Sequence, residues 1–343
     1  MAKIYFDQDA DLEDLAGRTV AIIGFGNQGA SQALNLRDSG VEVIVGSPRD
    51  SSAERARMEG FEVFTIAEAA QKADILFLLV PDEVMPQAYT EYIASELRPG
   101  KVLNFASGYN ITFGFIQPPP DVDVIMVAPR MIGKGVRDTF LRGTGFPSLI
   151  AVHQDASGKA MEITLALAKG IGSTRMGAVL TTFTEETTVD LFSEQIGELY
   201  FRRIMFEVLT EAGCDPDVVL LEQYASGEWS EIYAAARDIG LWSQLRLHSL
   251  TSQYGQQVTS KRFLAADALR EQMRRVVEHI RSGEFSEEWV REQQEGYENL
   301  LKVTTENLQH PMQAAENRLY RLLGRRDKDL VSPEWLQREQ TQD

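Results

Sequence analysis

Short apolar runs alternate with segments of helical periodicity from Thr19 to about Val152. This alternation predicts a mostly parallel, doubly wound sheet with helices on its faces. The predicted strands are Val20–Ile23, Val41–Val45, Ile75–Val80, Val102–Ala106, Val124–Val127 and Ser148–Val152. The predicted helices are Asp11–Leu15, Glu54–Glu59, Ile66–Lys72, Met85–Ser95 and Ala156–Gly172. We therefore expect an α/β domain of Rossmann type in the N-terminal half.

The hydrophobic pattern changes after Gly177. From Phe183 to Leu323 strand-like alternation is scarce and helix-forming residues dominate, which predicts an all-α second domain. The last residues are polar and are expected to form a frayed tail. The sequence thus predicts three parts, namely residues 1–181, residues 182–327 and residues 328–343.

A G-x-G-x-x-G motif joins the first predicted strand to a helical run that extends to Arg37. In dinucleotide-binding domains the first glycine allows a tight turn, the second lets a diphosphate approach the backbone, and the third lets the helix pack on its strand. The N-terminus of the helix then offers free N–H groups and a partial positive charge to the phosphates. The predicted cofactor contacts in this loop are Gly24, Phe25, Gly26, Asn27, Gln28 and Gly29.

The end of the second predicted strand indicates which nicotinamide cofactor is bound. An acidic residue there holds the ribose 2′-hydroxyl of NAD, whereas basic and hydroxyl groups accept the 2′-phosphate of NADP. No acid directly follows the strand, although Asp50 argues against a phosphate and an ordinary polar turn is the alternative. We expect NADPH, and the candidate donors to its 2′-phosphate are Ser47, Arg49, Ser51 and Ser52. Pro81 and Asp82, which follow another predicted strand, are also expected beside the cofactor.

Two carboxylates of the second predicted domain share one helix face. Asp190 and Glu194 are four residues apart in TTFTEETTVDLFSEQ, so a helix brings them together. A solvated acidic face is one interpretation. The other is a Mg²⁺ site, because Mg²⁺ takes hard oxygen ligands from one or two carboxylates, water and substrate. Glu222, on a later helical segment, is either a third ligand or one more surface glutamate.

Composition narrows the class of protein. Hydrophobic residues make up 43% of the 343 residues and charged residues 25%, as in globular proteins. The net charge of −17 argues against nucleic acid as a partner, because phosphate binding requires a basic surface. The single cysteine, Cys214, excludes an intramolecular disulfide. We find no signal-peptide pattern and no apolar stretch long enough for a membrane span, so we expect a cytoplasmic protein without a membrane partner.

Several longer motifs resemble the ketol-acid reductoisomerases. The resemblance covers about residues 3–323 and is carried by YFDQDADLEDLAGRTVAIIGFGNQG, ALNLRDSG, LLVPDE, AVHQDASGKA, TTFTEETTVDLFSEQ, LTEAG, SQYG and IRSGEFSEEWVRE. It implies a Rossmann-type NADPH-binding domain, a helical, knotted C-terminal domain, and a homodimer or larger homo-oligomer. Family members use Mg²⁺ to migrate an alkyl group of a 2-acyl-2-hydroxy acid and then reduce the resulting keto acid with NADPH.

The resemblance also assigns candidate site residues. It implies metal ligation by Asp190, Glu194 and Glu222, a substrate contact by Ser249, and a cofactor contact by Gly133. Ser107 and Arg130 stand where the family has an active-site histidine and lysine. The catalytic candidates are accordingly Ser107, Arg130, Asp190 and Glu194.

Other positions depart from the family pattern. The G-P-G-H of the family is replaced by Met131–Lys134, its fourth metal carboxylate by Ser226, and the aspartate after the substrate serine by Leu250. We expect the isomerisation to be impaired or absent, because it requires two metal ions as Lewis acids. The leading hypothesis is an NADPH-dependent reductase of a small 2-keto acid or a related carbonyl or imine. The alternatives are a functional Mg²⁺-dependent reductoisomerase and a non-catalytic NADPH-binding scaffold.

Overall fold

The computed structural model describes residues 2–48 and 50–325, with only the backbone of residue 198. Contacts divide the chain into two units, between Asp190 and Leu191. The dividing point lies within a helix, Phe183–Gln195, so the predicted boundary after residue 181 stays a prediction. The predicted tail, residues 328–343, lies outside the described residues.

The first unit is built on one sheet, for which nine strands are described. Their order is β1-β9-β8-β7-β6-β5-β2-β3-β4, with antiparallel pairing only between β1 and β9 and between β7 and β8. The strands are β1 (Ile4–Tyr5), β2 (Thr19–Ile23), β3 (Glu42–Gly46), β4 (Glu62–Phe64), β5 (Ile75–Leu78), β6 (Val102–Phe105), β7 (Asp123–Pro129), β8 (Ser148–Gln154) and β9 (Ala178–Leu180).

Helices connect these strands. They are α1 (Asn27–Asp38), α2 (Ser51–Met58), α3 (Ile66–Lys72), α4 (Met85–Ala88), α5 (Tyr109–Thr112), α6 (Gly133–Leu141) and α7 (Ala160–Ile171). After α4 the chain continues through a wide π-type turn and a narrow 3₁₀ turn, which end at Glu96. A further 3₁₀ segment, Leu12–Leu15, precedes β2.

Both faces of the sheet are covered, which explains why its strands are nearly continuous apolar runs. Val20 and Ile22 of β2 point into one buried cluster, whereas Ala21 and Ile23 point into another on the opposite face. All four side chains are fully buried. This two-sided core confirms the Rossmann-type fold predicted for the N-terminal half, and it holds the carboxyl ends of the parallel strands in fixed positions.

Five labelled elements were not predicted from the sequence, among them the one-turn helix α5. β1, β4 and β9 span only two or three residues at or next to the sheet edges, too short to show a period of two. Helix α6 begins with Gly-Lys-Gly, and glycine lowers helix propensity by about 1 kcal/mol relative to alanine. Each of the six predicted strands is present.

The second unit is helical, as predicted. Helix α8 (Phe183–Gln195) spans the dividing point, and the later helices are α9 (Glu198–Glu211), α10 (Pro216–Leu220), α11 (Glu228–Ile239), α12 (Leu250–Tyr254), α13 (Ser260–Phe263), α14 (Ala266–Ser282), α15 (Glu284–Gln294), α16 (Glu298–Gln309) and α17 (Pro311–Leu322). Its buried core includes Phe206, Leu220 and Leu319. In the described part of the chain, no helix combines the length and the apolar character that a membrane crossing requires.

Candidate active site

The glycine-rich loop lies where the order of the strands reverses. β2 pairs in parallel with β3 on one side and with β5 on the other. After β2 the chain adds β3 and β4 on one side of this strand and then returns to add β5 on its other side. Open α/β sheets bind ligands in the crevice that such a reversal creates at the carboxyl ends of the strands. Gly24 follows β2 at this crevice, and Leu79 to Asp82 follow β5.

The three glycines of the motif have different surroundings. Gly24 has a φ of +96°, a conformation that favours glycine. A Cβ added to Gly29 would lie only 2.0 Å from the carbonyl oxygen of Gly24, so α1 packs closely on the turn. A Cβ on Gly26 would meet no atom within 4 Å among the described residues. This open space beside Gly26 fits a diphosphate that approaches the backbone.

The N-terminus of α1 fits the same ligand. Its first helical hydrogen bond runs from the Ala30 N–H to the Gly26 carbonyl, at 3.0 Å. The amides of residues 27–29 consequently have no acceptor inside the helix. The first turn carries no acidic residue, so the partial positive charge of the helix end is available to an anion. These residues fit a dinucleotide cofactor, and their individual contacts with it stay predictions.

Three of the predicted cofactor residues also shape the loop itself. The Gln28 side chain donates from Nε2 to the Met131 carbonyl at 2.9 Å. A Cβ on Gly133 would lie 2.1 Å from the carbonyl oxygen of Asn27, so only glycine permits this approach. The Phe25 ring is buried against another aromatic ring. The segment after β7 thus supports the glycine-rich loop.

The predicted 2′-phosphate residues lie after β3. The Ser47 side chain is buried, whereas Ser51 and Ser52 begin α2. Asp50 caps that helix by accepting the N–H groups of Ser52 and Ala53 at 2.9 and 3.1 Å. Its carboxylate is therefore engaged in capping, and the fourth candidate, Arg49, lies outside the described residues.

A cavity of about 400 Å³ adjoins this segment. It is lined by Ser47, Pro48, Thr65, Ile66, Ala67 and Tyr92. Arg55, one turn into α2, donates to the Phe25 carbonyl at 3.2 Å and to the Ser52 hydroxyl at 3.3 Å. Arg55 was not predicted to lie here, although a spacing of three residues on a helix places it on the same face as Ser52.

One arginine joins two carboxylates next to the crevice. Arg130 directly follows β7 and donates from one guanidinium nitrogen to Glu186 Oε1 at 2.8 Å and from another to Asp190 Oδ1 at 2.7 Å. The second oxygen of Glu186 accepts the Gly108 N–H at 2.7 Å. A Cβ on Gly108 would lie 2.4 Å from the Phe183 carbonyl oxygen, so glycine is needed where α8 approaches this loop.

Glu186 is the most deeply placed member of this cluster, with no exposed surface. Burial is the main cause that raises the pKa of Glu186 above its ordinary value, and the Asp190 charge acts in the same direction. The Gly108 N–H and the Arg130 guanidinium oppose this shift, because both stabilise the ionised carboxylate. Arg130 therefore serves as the counter-ion of a buried carboxylate.

A second carboxyl group, which is half-buried, lies four residues after the end of β5. Burial raises the pKa of Asp82 from 3.8 to about 7, and the charges of Glu83, Glu186 and Asp190 act in the same direction. A hydrogen bond from Asn110 partly opposes this shift. The Asn110 Nδ2 donates to Asp82 Oδ1 and to the Asp82 carbonyl, each at 3.1 Å. The carboxyl group is thus held in one orientation near neutral pH.

Ser107 takes part in a local turn. Its hydroxyl accepts the Tyr109 N–H at 3.3 Å. Gly108 beside it contacts Glu186, so Ser107 lies next to the arginine–carboxylate cluster in sequence and in space. Its predicted catalytic role stays a prediction.

The remaining predicted ligands lie in the second unit. Glu194, Glu222 and Ser249 are exposed there, and Ser249 caps α12 by accepting the Ser252 N–H at 3.2 Å. Nowhere in residues 2–48 and 50–325 do three or more His, Cys, Asp or Glu side chains form a group that could hold a metal ion. Asp190 is also paired with Arg130, whose positive charge is permanent at neutral pH. Ligation of Mg²⁺ by Asp190, Glu194 and Glu222 therefore stays a prediction.

Two family profiles cover most of the chain. Residues 14–177 match the acetohydroxy acid isomeroreductase, NADPH-binding domain. Residues 183–324 match the ketol-acid reductoisomerase, C-terminal domain. The two matches agree with an α/β half followed by a helical half.

Curated relatives and a solved structure agree with this assignment. The chain is 44% identical over 328 residues to ketol-acid reductoisomerase (NADP(+)) of Pyrobaculum calidifontis, covering 94% of this chain and 99% of the relative. It is 45% identical over 332 residues to that of Methanopyrus kandleri, covering 95% and 100%. A solved NADH-preferring ketol-acid reductoisomerase from an uncultured archean superposes with a TM-score of 0.87 at 36% identity, covering 93% and 99%. The chain therefore belongs to the ketol-acid reductoisomerase family of NADP-dependent oxidoreductases.

Proposed function

We propose that this protein is an NADPH-dependent reductase that transfers a hydride to a small 2-keto acid, or to a related carbonyl or imine, without alkyl migration. The observation that carries the proposal is the pairing of Arg130 with Glu186 and Asp190 at 2.8 and 2.7 Å. The Arg130 guanidinium thus neutralises Asp190, the carboxylate that the resemblance assigns as a metal ligand.

This pairing bears directly on the isomerisation. Alkyl migration requires metal ions that hold and polarise adjacent oxygens of the substrate. Arg130 supplies positive charge but no coordination position, and it does not exchange protons near neutral pH. Ser107 does not act as an acid or base in that range, as an imidazole would. The replacements therefore remove the groups on which migration depends.

Hydride transfer requires that the nicotinamide and the acceptor be positioned against each other, and it does not require a metal ion. NADPH supplies the hydride when it is bound, and the protein orients it against the acceptor. The amides at the start of α1 and the open side of Gly26 would hold its diphosphate. The Arg130 charge, close to the same crevice, would favour a substrate in which negative charge develops on oxygen. Each of these groups belongs to the first unit.

The choice of NADPH over NADH rests on Ser47, Arg49, Ser51 and Ser52, together with Arg55. We expect Arg49→Glu to weaken NADPH binding at least about tenfold, because a charge-assisted hydrogen bond to phosphate contributes about 1.5–3 kcal/mol. NADH binding should change little. Fluorescence titration with both cofactors measures this difference, and equal losses for the two would contradict the assignment.

Mg²⁺-dependent ketol-acid reductoisomerase activity is the second candidate function. It is favoured by the 44–45% identity to relatives of that name over 94–95% of this chain. In that case Asp190, Glu194 and Glu222 would hold Mg²⁺ and Ser249 would contact the substrate. A non-catalytic NADPH-binding scaffold is the third possibility that the experiment below distinguishes.

The deciding experiment compares substrates with and without metal. NADPH oxidation is followed with a panel of 2-keto acids and imines, and separately with 2-acetolactate, in Mg²⁺ or in EDTA. We expect turnover of a panel compound that persists in EDTA, and none of 2-acetolactate. Turnover of 2-acetolactate only with Mg²⁺ would establish the second candidate. NADPH binding without any turnover would establish the scaffold.

We also propose that the protein is a homodimer or a larger homo-oligomer. Helix α9 exposes several large apolar side chains, among which Leu199 is 89% and Tyr200 is 71% exposed. Contiguous apolar surface of this kind is typical of subunit interfaces. Sedimentation equilibrium measures the mass in solution, and a monomer at micromolar concentration would contradict this proposal.

A further inference from the structure

Asp82 lies beside the crevice, close to the glycine-rich loop. It lies four residues after the end of β5, the strand next to β2 at the reversal of strand order. The Gly24 turn packs against the backbone of the same segment, since a Cβ on Gly24 would lie 2.9 Å from the Leu79 carbonyl oxygen. A nucleotide held by the glycine-rich loop therefore extends past the segment that carries Asp82.

The Asp82 carboxyl is held by a buried amide. Asn110 is 1% exposed and donates from Nδ2 to both Asp82 Oδ1 and the Asp82 carbonyl. The Asn110 Oδ1 is buried without a hydrogen-bond partner among the described residues. The Asn110 Nδ2 thus orients Asp82, while the Asn110 Oδ1 accepts no hydrogen bond from the described residues.

The proposed reduction requires a proton donor, and this chain has other residues at the two positions where the family has a histidine and a lysine that could supply one. Ser107 stands in place of the histidine, and Arg130, in place of the lysine, holds its protons permanently. Of the two carboxyl groups with raised pKa in the crevice, Glu186 accepts hydrogen bonds from Arg130 and the Gly108 N–H, and both contacts favour its ionised form. Asp82 has no such cationic partner among the groups that shift its pKa.

We propose that Asp82 is the proton donor of the reduction, an inference that rests on the proposed function. The hydride of NADPH forms a C–H bond at the carbonyl carbon, and the π electrons of the C=O bond move to oxygen. That oxygen takes the proton of the Asp82 carboxyl, so the products are an alcohol, NADP⁺ and an aspartate anion. Water then returns the proton to Asp82. The substrate gains two electrons and NADPH loses two.

The pH dependence follows from the groups around Asp82. Glu83 on the same segment, and Glu186 and Asp190 on α8, favour the protonated form, while Arg130 faces the latter two. The acid is present below pH of about 7 and is lost above it. The reduction rate should therefore fall about tenfold per pH unit on the alkaline side.

The test uses the full-length protein and the isosteric variant Asp82→Asn, with Glu83→Gln as the matched control. NADPH affinity and kcat are measured across the pH range with the best panel substrate. We expect Asp82→Asn to lower kcat at least about 100-fold at acidic pH, to remove the alkaline fall, and to weaken NADPH binding far less. Glu83→Gln should keep the fall and move it to lower pH, because one neighbouring negative charge is gone.

The outcomes separate this inference from the proposed function. A wild-type protein that reduces no panel compound removes both. A wild-type protein that does so, while Asp82→Asn keeps its kcat and alkaline fall, overturns only the role of Asp82. A loss of NADPH affinity equal to the loss of kcat would make Asp82 a cofactor-binding residue instead.

Thermal unfolding gives a readout that is independent of turnover. Because the folded pKa lies above the unfolded value of 3.8, wild type loses stability as pH rises through about 7. Asp82→Asn lacks this titration. The melting temperature of Asp82→Asn minus that of wild type should therefore be larger at alkaline pH than at acidic pH. A difference that is the same at both pH values would overturn the inference.

Discussion

Gly26→Ala and Gly29→Ala are expected to damage the protein in different ways, although both weaken NADPH binding. In Gly29→Ala the new Cβ would lie 2.0 Å from the Gly24 carbonyl oxygen, and no flexible side chain can yield there. Forcing a methyl group into such a contact costs about 3 kcal/mol or more. The start of α1 would move away from the turn, and the phosphate-binding amides would move with it.

Gly26→Ala should leave the fold intact. Its φ of −84° is accessible to alanine, and the new methyl group meets no atom within 4 Å in the described residues. We expect a change in unfolding free energy within about 0.5 kcal/mol. The methyl group would instead occupy the space beside the backbone that we assign to the diphosphate. NADPH affinity should fall about 10- to 150-fold, which corresponds to about 1.5–3 kcal/mol for a lost charge-assisted hydrogen bond.

Thermal unfolding and fluorescence titration on the same preparations separate the two effects. Each variant is the control of the other, since both add one methyl group to the same loop. A Gly26→Ala protein that binds NADPH as tightly as wild type would show that the diphosphate does not approach this face. A Gly29→Ala protein of wild-type stability would contradict the close packing of α1 on the turn.

The sequence was sufficient for the sheet and the glycine-rich loop because both depend on local signals. The strands buried on both faces are continuous apolar runs, and the positions of Gly24, Gly26 and Gly29 are set by steric limits within a few residues. The short strands at or next to the sheet edges, such as β4 and β9, carry no comparable signal. They are strands because a neighbouring edge supplies hydrogen bonds, which is a property of the assembled sheet.

The site was predicted less completely for a related reason. Asp190 lies four residues from Glu194 and also four residues from Glu186, so helical spacing allows either pair. We predicted the pair of Asp190 and Glu194, whereas in the structure Arg130 joins Asp190 to Glu186. That choice depends on where β7 delivers Arg130, some 60 residues earlier in the chain. No pattern within α8 contains this information.

Replacing Arg130 with methionine should destabilise the protein strongly at alkaline pH. Glu186 is fully buried, and removal of one partner of a buried ion pair costs about 3–5 kcal/mol. Because Arg130 itself is 29% exposed, screening by solvent reduces the expected cost to about 2–3 kcal/mol. Reductase activity should be lost, since the positive charge beside the crevice is gone.

The pH dependence of this loss identifies its cause. Without Arg130 the folded pKa of Glu186 rises further above its unfolded value. A group of this kind stabilises the folded state at low pH, and that contribution disappears as pH rises through the folded pKa. Arg130→Met should therefore approach wild-type stability at acidic pH and fall away from it on the alkaline side. A difference in melting temperature that is the same at both pH values would show that Glu186 is not left unpaired.

Two further variants complete this test. Arg237→Met removes an exposed arginine paired with Asp238 on the surface, and should leave the melting temperature close to that of wild type at both pH values. Arg130→Lys keeps one charge, but a single ammonium replaces the planar fork that spans Glu186 and Asp190. Calorimetric titration with Mg²⁺ should then detect binding to Arg130→Lys that wild type lacks. If wild type binds Mg²⁺ equally well, Arg130 does not exclude the metal, and the case for the second candidate function becomes the stronger one.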